Sequence, residues 1–183
     1  MNMFSELMNL CCEDEVHLNQ IQQLNDQICQ TTLNGRTALM YLMTNTKLKT
    51  DRLPLIDMLE SEIGMETNRG TTALMDYCFH NGQNVDVINR LKSEIGKQNI
   101  EGFSALMFMM CSSRSDINID SVIALSDEIG LQRPDEKMAL DLFCEYKYEF
   151  LDRNLSNQII NILRNEYRED RTYFNVDVIS IIE

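Results

Sequence analysis

Apolar side chains recur along this chain at helical spacing. Ile21-Leu24-Ile28, Ile56-Leu59-Ile63, Ile88-Leu91-Ile95 and Val122-Leu125-Ile129 each put three of them at i, i+3 and i+7, one face of an α-helix. The closing Ile recurs at intervals of 35, 32 and 34 residues. Three copies read Ser61-Glu62-Ile63-Gly64, Ser93-Glu94-Ile95-Gly96 and Asp127-Glu128-Ile129-Gly130, and Asp26-Gln27-Ile28-Cys29 is a weaker one. Gly disfavours a helix interior and suits the positive φ of a helix end, so the pattern predicts a helix that stops at this Gly.

A second block follows each copy. Gly35, Gly70 and Gly102 lead into Arg36-Thr37-Ala38-Leu39-Met40, Thr71-Thr72-Ala73-Leu74-Met75 and Phe103-Ser104-Ala105-Leu106-Met107. Thr37, Thr72 and Ser104 have the side-chain oxygen that accepts a backbone N–H left over in a first helical turn, so each block predicts a second type of helix start. The unit is turn, helix, loop, helix. A fourth copy is degenerate, with Glu136 at the Gly position and Lys137-Met138-Ala139-Leu140 after it. Leu7-Met8 and Ile160-Leu163-Tyr167 extend the register to both ends, and all seven glycines fall at joints of the pattern.

These residues resemble the ankyrin repeat, a unit of about 33 residues made of a turn and two antiparallel helices. Thr-Ala-Leu-Met stands here where that family has Thr-Pro-Leu-His. The resemblance implies an all-α, ankyrin-type solenoid of about five helix-turn-helix repeats in a single domain. Its units would be about 1–28, 29–63, 64–95, 96–129 and 130–167, with 168–183 a C-terminal cap or tail. It also implies a non-enzymatic adaptor that holds a protein partner on its turn tips and first-helix ends. Carried over by position, the partner-facing residues are Leu33, Asn34 and Arg36; Asn68, Arg69 and Thr71; and Ile100, Glu101 and Phe103. The degenerate copy adds Pro134, Asp135 and Lys137. The helix ends add Phe79 and His80, then Cys111 and Ser112. Phe79, Ile100 and Phe103 are the expected anchors, because apolar side chains beside Arg are frequent interface hot spots. The competing role for them is to cover the core of a neighbouring unit.

Charge narrows the partner class. The formal charge of −13 opposes phosphate and anionic lipid, so neither nucleic acid nor membrane is expected as a partner. The same charge allows a rival function, an acidic decoy that imitates nucleic acid and occupies a basic groove of a target protein. Met1 to Leu10 have no basic stretch ahead of an apolar one, so the expectation is a cytoplasmic monomer with its six Cys as thiols. His17 and His80 are the only histidines, and no triad or Cys/His spacing surrounds them, so no catalytic residue, cofactor or metal is assigned. Cys78, Cys111 and Cys144 fall at core or near-core positions of the first helices.

Asp116-Ile117-Asn118-Ile119-Asp120, with Asp127 beyond, imitates the alternating oxygens of a calcium loop. Ser121 stands where that loop needs Gly, and Val122 and Leu125 belong to a helix, so the segment reads as a helix start with Asp120 as candidate N-cap. Tyr173 to Ile182 is β-branched and fits no copy; it is expected to cap the last unit or to serve a partner.

Overall fold

The computed structural model describes residues 4–82, 84–112, 117–146 and 151–164. Among them all regular structure is helical: α1 (Glu6–Leu10), α2 (Leu18–Gln23), α3 (Ala38–Thr44), α4 (Arg52–Met58), α5 (Ala73–His80), α6 (Val85–Arg90), α7 (Ala105–Cys111), α8 (Ile119–Ala124), α9 (Ala139–Tyr146) and α10 (Arg153–Arg164). The odd-numbered helices touch one another in series, and so do the even-numbered ones. The result is two adjoining rows of short helices. One cluster of buried side chains joins them, with Leu39, Leu74, Leu106 and Leu140 from the first row and Ile56, Leu59, Ile88, Leu91, Val122 and Leu125 from the second row and the turns that close its helices. Helices this short are marginal alone, so their stability comes from stacking.

The expected caps are present. Thr37, Thr72 and Ser104 are wholly buried, and their side-chain oxygens accept the N–H of Met40, Met75 and Met107 at 3.4 Å. At the degenerate copy the side-chain bond runs the other way: Met138 has no hydroxyl, and Asp141 Oδ2 three residues on accepts the N–H of Met138 at 2.8 Å. Glu136 takes the positive φ of the glycine it replaces, at 66°, and Cys29 does so at its own joint.

The second helices end earlier than the apolar spacing implies. α4, α6 and α8 give way to single 3-10 turns over Glu60–Glu62, Lys92–Glu94 and Ser126–Glu128, and Ile63, Ile95 and Ile129 are already extended. The tighter turn aims a glutamate inward, and Glu62, Glu94 and Glu128 are each 1% exposed. Glu94 accepts the N–H of Leu74 and of Gly64, both at 2.7 Å. Glu128 accepts those of Leu106 at 2.6 Å and Gly96 at 3.0 Å, and Glu62 those of Leu39 at 2.7 Å and Cys29 at 2.9 Å. The hydroxyls of Thr72 and Ser104 bond to Glu94 and Glu128 as well. Each carboxylate therefore ties the start of one first-row helix to the joint before it. In the first copy Gln27 does part of this, accepting the N–H of Leu7 at 3.0 Å.

One cap differs from expectation. Asn118, not Asp120, caps α8: its side-chain oxygen accepts the N–H of Asp120 at 2.9 Å, which an Asp lying inside the first turn cannot do for itself. Asp116 of the calcium-like segment, the tail Tyr173 to Ile182 and Tyr167 lie outside the described residues.

Candidate partner-binding surface

The turns before α3, α5, α7 and α9 are tight hairpin tips. Thr32, Thr67, Asn99 and Arg133 each donate their N–H to the carbonyl four residues on, on Arg36, Thr71, Phe103 and Lys137, at 3.0 Å. The tips also bond to one another. The N–H of Asn68 donates to the carbonyl of Asn34, and that of Ile100 to Arg69, each at 2.9 Å. Asn68 Nδ2 adds a bond to the carbonyl of Leu33 at 2.9 Å. Pro134 occupies the next donor position and has no N–H, so this row of tip-to-tip bonds stops at the fourth tip.

The tips carry the expected exposed residues. Leu33 is 76% and Ile100 65% exposed, and Asn34, Asn68, Arg69 and Glu101 are exposed beside them. Arg69 pairs with Glu101 of the next tip. Thr71 is half-buried, its N–H donating to Thr67 Oγ1 at 3.0 Å. Pro134 and Asp135 are exposed, and the half-buried Lys137 pairs with Glu145 at 2.6 Å.

On the first-row helices an aromatic group crosses two units. Phe79 at the end of α5 meets Phe108 of α7 edge to face with ring centres 5.8 Å apart, and Phe108 stacks on Phe103 of the third tip at 5.0 Å. The Arg133 guanidinium lies over the ring of Phe103, 4.1 Å from its centre. Phe79 is 37% exposed, whereas Phe103 and Phe108 are half-buried against the core. Phe103 packs against the core, and Phe79 is exposed.

Sequence reasoning missed Phe108 and Asp76. Both sit three residues after the repeat Ala, one turn before the helix-end positions, and the i, i+3 rule applied to Phe79 and Cys111 leads back to them. Asp76 is 8% exposed and receives Arg36 Nη2 at 2.7 Å from the tip of the preceding unit. Arg36 also lies over the ring of Tyr41, 5.0 Å from its centre, and Tyr41 meets Phe4 edge to face at 4.7 Å. Burial pushes the Asp76 carboxyl up to about 6, with Arg36 pulling the other way and Glu94 adding to the rise.

The remaining helix-end residues divide. His80 is half-buried with its ring edge on to Phe79 at 4.9 Å, and burial and then Arg36 hold its imidazole below the ordinary value. Cys111 is half-buried, its thiol directed at the carbonyl of Phe108 at 3.6 Å. Ser112 is not on the surface at all: it is 4% exposed, and its hydroxyl donates to the carbonyl of Met109 at 3.0 Å, one turn back on α7.

Among the described residues no three His, Cys, Asp or Glu side chains converge as metal ligands. No described helix is long and apolar enough to cross a membrane. No protein-family model matches the chain, and no curated protein matches its sequence.

Proposed function

We propose that this chain is an ankyrin-type helical repeat array, a cytoplasmic and non-enzymatic adaptor that binds a protein partner on its tips and first-row helix ends. The observation that carries the reading is the Phe79–Phe108–Phe103 group, an aromatic platform spanning two units beside the exposed Ile100. The serial contacts of the two rows and the recurring Thr/Ser cap and glutamate tie support the division into units. Exposed aromatic and branched side chains in a patch with neighbouring Arg are the composition of binding hot spots.

Charge argues against the acidic-decoy alternative on this surface. Three of the carboxylates behind the charge of −13, those of Glu62, Glu94 and Glu128, are interior. The cations of the tips are matched one by one, Arg36 with Asp76, Arg69 with Glu101, Arg133 with Asp135 and Lys137 with Glu145. A partner held here is held by apolar contact, and its capture survives high salt. Phe79→Ala and Ile100→Ala together are expected to weaken that capture about tenfold or more while moving stability by less than about 0.5 kcal/mol. Pull-down at low and high salt with a parallel thermal melt checks this. Capture abolished by modest salt and indifferent to the two substitutions would establish the decoy instead.

A further inference from the structure

Three ionisable side chains of this surface sit together and do different things as pH falls. Asp76 and His80 are i and i+4 on α5, so they share one helical face. Arg36 reaches that face from the preceding tip, bonded to Asp76 at 2.7 Å and close enough to oppose a charge on His80. α3 contributes Tyr41 beneath the guanidinium, and the 3-10 turn after α6 contributes Glu94, whose charge opposes ionisation of Asp76. Cys12, just beyond α1, also feels Arg36. α7, the other helix packed on α5, has no charged residue.

We propose that Arg36, Asp76 and His80 form an acid-operated switch on the surface assigned above to partner binding. At neutral pH the Asp76 carboxylate occupies the guanidinium, and the patch carries no net charge. On acidification Asp76 becomes a neutral acid and His80 an imidazolium, so Arg36 and His80 present two positive charges to a carboxylate-bearing segment of a partner. Arg36 stays oriented for that ligand by its stack on Tyr41.

One energetic point supports the switch. The folded carboxyl of Asp76 lies above its ordinary 3.8, at about 6, because burial outweighs the pull of Arg36. The fold therefore favours the neutral acid, and this stabilising contribution is fully present below about pH 4 and lost as pH rises through about 6. Opening the pair with acid does not cost the unit stability through Asp76. The buried Glu94 and Glu128 are raised in the same direction by burial, so acid brings the glutamate ties towards protonation as well.

The proposal rests on the binding reading of this surface, but its test needs no natural partner. Carbon-detected NMR of the full chain between about pH 7.5 and 3 follows the Asp76 carboxyl, the Arg36 Nε–H and the His80 ring, a window that contains the ordinary values of a carboxyl and an imidazole. The expected result is an Asp76 midpoint near 6 with the Arg36 resonance moving in step. An Asp76 midpoint near 4, or an Arg36 resonance that ignores it, overturns the switch. A fluorescent hexaglutamate peptide is the second probe. It should bind the chain about fivefold or more tighter at about pH 5.5, where its own carboxylates stay ionised, than at about pH 7.5, more than general loss of negative charge provides, because Arg36 is released and His80 gains charge. Arg36→Gln should remove that gain, and Asp76→Asn should bring the tighter binding to neutral pH. Equal gain in both variants overturns the proposal. Failure of the titration leaves partner capture through Phe79 and Ile100 untouched, and failure of that capture leaves the titration standing, so the two readings fall separately.

Discussion

Glu94 shows how much one side chain can hold. Its two oxygens take the N–H groups of Leu74 and Gly64 and the hydroxyl of Thr72, so a helix start, a joint and a cap depend on one buried carboxylate. Charged acceptors facing backbone N–H groups make the stronger hydrogen bonds of proteins, and a donor stranded inside costs its full desolvation. Glu94→Gln keeps the shape but turns an NH2 group towards one of the two N–H donors. It is expected to lower stability by about 1–3 kcal/mol, read as a fall in the urea midpoint with an unchanged slope. Glu101→Gln, at an exposed pair with Arg69, should cost less than about 0.5 kcal/mol. A Glu94 variant no worse than the Glu101 variant would refute the tie.

At the scale of elements, the tips set how closely the units approach. Gly102 has φ of 80°, and a Cβ there would lie 2.6 Å from Pro134 Cδ and 2.8 Å from Arg133 Cα. Gly96 has a similar φ of 88° with nothing within 4 Å of a Cβ. Both Gly→Ala changes carry the conformational penalty of about 1 kcal/mol, and only Gly102→Ala adds a collision with the neighbouring tip. Gly102→Ala should therefore lower the thermal midpoint clearly more than Gly96→Ala. The reverse experiment is available at the fourth tip, where Glu136 holds φ of 66°. Glu136→Gly is expected to raise stability by about 0.5–1 kcal/mol, against the usual sense of a glycine substitution.

Across the whole molecule, each unit leans mainly on its neighbours in the two rows, so stability varies along the chain instead of being shared evenly. The segment from 131 to 164 combines a strained Glu136, a tip that Pro134 cannot bond to the third, and a helix start at Met138 with no buried hydroxyl. Backbone amides of 131–164 should exchange hydrogen faster than those of 64–129. Equal or slower exchange would mean that the Asp141 cap and the packing of α10 on α8 and α9 compensate in full.

The register of the units, the helix starts at Thr37, Thr72 and Ser104 and the strained joint at Glu136 were legible in the sequence, because they express local physics. Apolar spacing follows the helical period, a hydroxyl caps the turn it begins, and a joint that wants positive φ selects Gly wherever Gly is present. The exposure of Leu33, Arg69, Ile100 and Glu101 at the tips was expected only from the resemblance to a known repeat, and the pairing of Arg69 with Glu101 was not foreseen. The Ser/Asp-Glu-Ile-Gly block was visible too, but not the reason for its glutamate. A charged residue beside an apolar one reads as solvent-facing, and only the packing of one unit on the next buries Glu62, Glu94 and Glu128 on backbone N–H groups distant in sequence. Asp76 belongs with them: its carboxyl acquires its partner, Arg36, and its unusual affinity for a proton from the unit before it. Ser112 is the opposite case, a polar residue expected outside that is buried. What depended on a residue's neighbours in sequence could be read there, and what depended on desolvation by a neighbouring unit was decided by the tertiary structure, because burial alone changes whether a charge faces water or a backbone amide.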